Sequence, residues 1–160
     1  MQRGYRLLPM LVLMAHAGHV HANSLAPWGS APVIEQAYSK QKVVFDTTSG
    51  TTAGLTSVLD RASFLSILNG ADPLDNKIVI VLHGGAIPFF AIKNYAKNKD
   101  LMHRAQSLSV GDVVEYRMCR AAAQLQGLKP GDIHGFVKMV PMADAEIVRL
   151  QQEEGFAHMK

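Results

Sequence analysis

Seven consecutive residues, Lys77-Ile-Val-Ile-Val-Leu-His83, constrain the fold of this chain more than any other stretch. A strand that lies on a solvated surface alternates apolar and polar residues. One that is apolar at every position between its ends has to be covered on both faces, as happens in a parallel sheet with helices packed above and below it. The run stops at Gly84-Gly85, a pair that ends a strand in a turn.

The rest of the chain follows the same grammar. Lys42-Val-Val-Phe-Asp46 is a short apolar run closed by Thr47-Thr48-Ser49-Gly50, which predicts a first buried strand. Leu55, Val58, Leu59, Ala62, Leu65 and Leu68 then recur at three- and four-residue steps up to Gly70, so one stripe of a helix is expected to pack on the sheet. Phe89, Phe90, Ile92, Tyr95 and Ala96 begin a second helical segment that Asp100 to Leu108 continues or restarts before Gly111. A strand over 113–118 leads through Cys119 into the helical run from Arg120 to Gly127. The run Phe136-Val-Lys-Met-Val140, a helix from Met142 to about Glu154, and a last edge strand over 156–159 complete the alternation.

Strands alternating with helices at this spacing imply right-handed crossovers. The expected class is a three-layer, Rossmann-like α/β sandwich, with a mainly parallel sheet of about five strands flanked by helices. The periodicity leaves the strand order open. The 160 residues suit one globular domain over 41–160 with an adequate core, preceded by an extended arm over 23–40 rich in Pro, Ser, Ala and Gly around the lone Trp28.

Residues 1–22 read as a secretory signal: Arg3 and Arg6, an apolar run from Leu7 to Ala15, and the small-residue site Val20-His21-Ala22. Cleavage after Ala17, or retention of the segment as an anchor, are the rival readings; the apolar run is too short to span a bilayer. Export to the periplasm or beyond is the expectation. His16, His19 and His21 lie upstream of the favoured cleavage point, so no metal site is expected. The formal charge of +3 includes Arg3 and Arg6. Their loss leaves a near-neutral chain with no case for nucleic acid.

In a parallel sheet the carboxyl ends of the strands form one rim, where ligands and reactive groups collect. That rim is expected to hold Asp46 to Gly50, His83-Gly84-Gly85 and Cys119. Cys119 is the only cysteine, so it forms no disulfide within its own chain. A thiol at the start of a helix feels dipole charge that favours thiolate; the bland alternative is a small buried hydrophobe at a strand-helix junction. Alternation along the strand is expected to turn Arg117 away from Cys119, leaving Arg120 as its electrostatic partner. His83 serves either as a base or hydrogen-bond donor to a bound anion, or as a local partner for backbone groups. Gly84 and Gly85 serve a tight turn or the close approach of a ligand. Thr48, Ser49 and Gly50, before a helix, offer an anion site or simply a cap. No phosphate-loop lysine and no Gly-x-Gly-x-x-Gly pattern occurs, which argues against a nucleotide, and Ser49 lacks the glycines of a hydrolase elbow.

The run from Lys77 to Ala86, the strand and cysteine Val114-Glu-Tyr-Arg-Met-Cys119 with its alanine helix and Gly127-Leu128, and the tail from Pro141 through Leu150-Gln151 to Gly155-Phe156-Ala157 together resemble the DsrE/DsrF-like family over roughly residue 41 to the end. The resemblance implies a Rossmann-like fold that assembles as trimers or hexamers. It also implies a cysteine, matched here by Cys119, that carries a persulfide between partner proteins. Two departures stand out: the relay members are cytoplasmic whereas this chain reads as exported, and many members lack the cysteine. The expected function is an exported sulfur carrier or sulfurtransferase-like protein. Cys119 would be the nucleophile, His83, Gly84, Gly85, Thr48, Ser49 and Gly50 would line the pocket, and Arg120 would stabilise charge. No cofactor is expected, and the partners would be sulfur donors and acceptors. The alternative is a non-catalytic oligomeric module that binds a small ligand and keeps Cys119 as a structural residue.

Overall fold

The structure is a computed structural model that describes residues 28–72 and 77–160. The expected signal segment over 1–22, with its cleavage site, lies outside the described residues. Residues 28–36 are exposed and form neither helix nor strand.

The remainder of the chain, from Ala37 onward, is built on five strands: β1 (Lys42–Thr47), β2 (Lys77–Leu82), β3 (Glu115–Cys119), β4 (Val137–Val140) and β5 (Ala157–Met159). Every neighbouring pair is parallel, in the order β4-β3-β2-β1-β5. The helices are α1 (Thr52–Leu68), α2 (Lys99–Ser109), α3 (Arg120–Leu125) and α4 (Ala143–Glu154). This is the Rossmann-like α/β class that the alternation predicts.

Strand order decides how the layers fill. From β1 to β4 each crossover moves one strand in the same direction, so right-handed connections put their helices on one face. The last crossover runs back from β4 to the far side of β1, and the same hand then requires the opposite face. The two apolar cores match this. Leu55, Leu59 and Ala62 of α1, Leu101, Met102 and Ala105 of α2 and Ala123 of α3 pack with Val43, Phe45, Ile78, Ile80, Tyr116 and Met118. On the other side only Ala143, Ile147 and Leu150 of α4 cover Val44, Val79, Val81 and Cys119, together with Phe156.

Three local expectations change. The segment after Gly84-Gly85 is two 3-10 stretches, Gly84–Phe90 and Ile92–Lys97, before α2 starts. The break falls at Ala91, which is extended (φ −81°, ψ 130°) and pairs with Ile133 in an isolated antiparallel bridge. β3 starts later than expected, at Glu115, and includes Cys119. Leu68, at the tip of the α1 stripe, is 61% exposed beside Phe64 and Ile67, because the helix outruns the sheet edge formed by the three-residue β5. The entry to β1 is held by Asn69, whose side chain bonds the backbone of Gln41 in both directions at 3.0 and 2.9 Å.

The turns after β1 and β2 lie against each other. Gly85 needs to be glycine: a Cβ there would stand 2.8 Å from both the Cα and the N of Gly50 and 3.0 Å from the Thr48 carbonyl, all backbone atoms that cannot swing away. A Cβ on Gly50 would meet nothing nearer than 3.6 Å. Gly85→Ala is therefore expected to destabilise the fold by roughly 1–3 kcal/mol, the range for overpacking. Gly50→Ala should cost less than half as much. Urea midpoints of the two variants check this.

Candidate functional site

Because all five strands are parallel, the turns after β1 and β2 and the cysteine that ends β3 share one edge of the sheet, as expected. Side-chain alternation sorts them further. Val44, Val79 and Val81 face α4, so Asp46 and His83, two residues on, face the same way, as does Cys119. His83 keeps strand-like torsions (φ −151°, ψ −179°), and its amide bonds the Thr47 carbonyl at 3.1 Å, which extends the ladder past β2. The β2–β3 register ends at Leu82 with Met118. His83 is the next residue after Leu82, as Cys119 is after Met118.

The imidazole is oriented by Asp46. His83 Nε2 lies 2.5 Å from Asp46 Oδ1, with the two side chains 20% and 22% exposed. On the other side, His158 Nε2 of β5 lies 3.6 Å from Asp46 Oδ2. An ionised Asp46 fixes the tautomer in which His83 Nε2–H donates to it, leaving Nδ1 as the basic nitrogen. A carboxylate, an imidazole and a thiol thus lie at neighbouring strand ends on one face, the imidazole bonded to the carboxylate and the thiol to the Ala122 amide. His158 and the pairing role of Asp46 are the site residues that the sequence reading missed. Both depend on β5 lying next to β1, and no local pattern announces that.

Cys119 itself differs from the expectation of a thiol at an open lip. It is 5% exposed, packed under α4, and its Sγ accepts a hydrogen bond from the Ala122 amide at 3.4 Å, so it serves as the side-chain cap of α3. The reason is the single-helix face: Ala143, Ile147 and Leu150 of α4 pack in one cluster with Cys119 and the valines of β1 and β2.

Arg117 is also corrected. Residues 117 and 119 are two apart and therefore share a face. Arg117 is spent elsewhere: its Nε donates to Glu115 at 2.7 Å, and its Nη1 donates to Glu146 of α4. Lys138 reaches the same Glu115 oxygen at 3.2 Å, and Arg149 donates to both Glu146 oxygens, at 3.2 and 2.8 Å. This network ties β3 to α4 in place of apolar packing. Arg120 is exposed and makes no ion pair among the described residues.

The pocket residues divide. Thr48 and Ser49, with Asp46, Thr47, Val58 and Lys160, line a cavity of about 360 Å³ at the end of β1. Gly50 belongs instead to a second cavity of about 360 Å³ with Thr52, Pro88, Phe89, Asn94, Lys97 and Asn98. The α1 cap is Thr51, which accepts from the Gly54 amide at 3.1 Å, so Thr48 is not needed for capping. Gly84 has φ +55°, and its carbonyl accepts from Gln126 at 2.9 Å, which ties the β2 turn to α3. Cys119 lines neither cavity. No group of three or more potential metal ligands occurs among the described residues, and no described helix is long and apolar enough to cross a membrane.

No family model and no curated protein matches the chain. Among solved structures, it is similar to a protein of unknown function from Methanobacterium thermoautotrophicum, with TM-score 0.56 and 17% identity over 74% of this chain and 97% of that one. At that identity the likeness is one of fold alone, and it supports the α/β class.

The ion network generates a pH dependence. Hydrogen bonding from Arg149 holds the Glu146 carboxyl below its usual value; burial opposes this, and Arg117 adds to the lowering. At Glu115 burial acts in the raising direction, but Arg117 and Lys138 together outweigh it, and the net shift is down. A carboxyl depressed by folding contributes stability above its unfolded value, about 4.3 for glutamate. That contribution is lost as pH falls through the lower folded value. Stability should therefore drop on going from pH 7 to pH 3. In Glu146→Gln, stability at pH 7 is expected to fall by on the order of 3 kcal/mol, since Arg117 loses a partner in a mostly buried setting, and the acid-side slope should flatten. Denaturant titrations at the two pH values test both expectations.

Proposed function

We propose that this chain is an exported sulfur carrier of the DsrE/DsrF-like kind, holding sulfane sulfur on Cys119. The observation that supports the reading most is the placement of Cys119, His83 and Asp46 on one face at the carboxyl end of β3, β2 and β1. In the loading step His83 takes the thiol proton, and the Cys119 thiolate attacks a terminal sulfur of a polysulfide. The S–S bond behind that sulfur breaks, the shortened polysulfide leaves with the bonding electrons, and Cys119 is left as a persulfide. In the unloading step an acceptor thiolate attacks the outer sulfur and Cys119 thiolate departs. Both steps are displacements at sulfur and need a nucleophile and a leaving group rather than a metal or cofactor. Arg120, at the start of α3, offers positive charge to the persulfide.

Access requires local opening at both covers of the thiol, the α4 residues packed on it and the first turn of α3, which has only six residues with Ala123 alone buried. Assembly as a trimer or hexamer and delivery across the inner membrane belong to the same proposal. They are read from the resemblance and from the signal-like start.

A second reading is favoured by one observation: Cys119 is 5% exposed among Val44, Val79, Val81 and Ile147. On that reading the protein is a non-catalytic small-ligand module and the thiol is structural. Intact mass after incubation with polysulfide separates the two. The carrier gains one sulfur atom, reversed by a reducing thiol and absent in Cys119→Ser; the module gains none and its native thiol resists alkylation. His83→Ala and Asp46→Asn should each slow loading at pH 7, the first by roughly 100-fold, as expected on losing a positioned base. Loading at the wild-type rate in both variants removes the proton-transfer role while leaving the carrier intact.

A further inference from the structure

The end of α1 is closed by Asn69 and Gly70, and the backbone there is fully engaged. Gly70 is left-handed (φ +86°), its amide donates to the Ile67 carbonyl at 2.9 Å, and the Ala71 amide donates to the Ser66 carbonyl at 2.8 Å. This double turn caps the last carbonyls of the helix. The Asn69 side chain then reaches 28 positions back: its Oδ1 accepts from the Gln41 amide at 3.0 Å, and its Nδ2 donates to the Gln41 carbonyl at 2.9 Å. Asn69 is 3% exposed. One carboxamide thus fastens the end of α1 to the residue before β1, the strand that pairs with both β2 and β5.

An asparagine followed by glycine is also among the least durable pairs in a protein chain. Glycine has no Cβ, so its amide nitrogen can swing onto the side-chain carbonyl carbon of the preceding asparagine. The Gly70 nitrogen loses its proton and bonds to Cγ of Asn69, the Cγ–Nδ2 bond breaks, and ammonia leaves with that proton. A cyclic succinimide remains. Water then adds to either of its carbonyls and opens the ring to aspartate or isoaspartate. In the closed corner this reaction has no path: the Gly70 amide is bonded to Ile67, both ends of the carboxamide are held by Gln41, and burial keeps water out.

The product cannot take the place of the reactant. Aspartate puts an ionised oxygen where Nδ2–H met the Gln41 carbonyl, so an acceptor faces an acceptor in a buried site. Isoaspartate also lengthens the main chain by a methylene group just after α1. We infer that Asn69–Gly70 is a deamidation site that the fold holds latent, and that opening of the α1–β1 corner exposes it to a modification that stops the corner from closing again. The reaction needs only water, and it makes a transient opening permanent. It is independent of any chemistry at Cys119.

Peptide mass mapping of the full chain, aged in parallel in native buffer and in urea at one pH and temperature, tests the inference. In urea Asn69 should convert to the acid faster than Asn94 or Asn98, neither of which precedes glycine. In native buffer its conversion should be slower than in urea by roughly 100-fold or more, since it then waits on local opening. Chain deamidated in urea, returned to buffer and separated from intact chain by its added negative charge should unfold at a lower urea concentration or fail to refold. Asn69→Asp carries the change at this position alone and should do the same. Equal rates at Asn69 in native buffer and in urea overturn the inference, as does a wild-type urea midpoint in the deamidated chain and in Asn69→Asp.

Discussion

The handedness of one crossover organises this molecule. Three successive right-handed connections lay α1, α2 and α3 on one face of the sheet, and the return from β4 to the outside of β1 forces α4 onto the other. A single helix of twelve residues then has to cover a face five strands wide. It covers the centre with Ala143, Ile147 and Leu150 and leaves the periphery to polar groups. The Glu115–Arg117–Glu146–Arg149 network and the His83–Asp46–His158 cluster both lie on that thinly covered side. Hydrogen-bonded charge takes the place of apolar packing there, and titratable groups gather as a result.

The same geometry explains why Cys119 is a covered thiol rather than an exposed one. It ends β3, next to the central strand β2 and within the cluster that α4 covers, and its sulfur accepts from the Ala122 amide as the cap of the short α3. The sulfur therefore lies beneath packed elements and not in an open cleft. The open space at the rim lies on the other face, at the mouths of β1 and β2, where the Thr48–Ser49 and Gly84–Gly85 turns press together. The rim thus divides into two environments, a covered thiol with a carboxylate–imidazole pair on one face and a hydroxyl-lined cavity on the other.

Much of this was legible residue by residue. The unbroken apolar run ending at His83 demanded a strand covered on both sides, and the leucine steps from Leu55 demanded a helix against it. Gly84-Gly85 forms the tight turn that was one of its two readings, and the close approach at Gly85 is to the Gly50 backbone rather than to a ligand. Other features were less so. The expected helix from Phe89 is broken at Ala91, which pairs with Ile133 from a distant part of the chain, and apolar spacing alone does not register that partner. The sense of Arg117 was misjudged although the two-residue period contains the answer. His158 carried no signal at all, because its partner sits 112 positions earlier in the chain and meets it only through the β1–β5 pairing.

Taken alone, then, the sequence determined the kinds of element, their order along the chain, the parallel α/β class and the gathering of strand ends on one rim. All of these follow from local periodicity and from the handedness of L-amino-acid crossovers. Only the tertiary structure decided that β5 lies beside β1, that Asp46 stands between two histidines, that α4 seals Cys119, and that Thr47 ends buried without a partner. The physical reason is that backbone ladder bonds are the same for every residue pair, so strand neighbours are chosen by how whole faces pack, and no stretch of chain encodes that choice by itself.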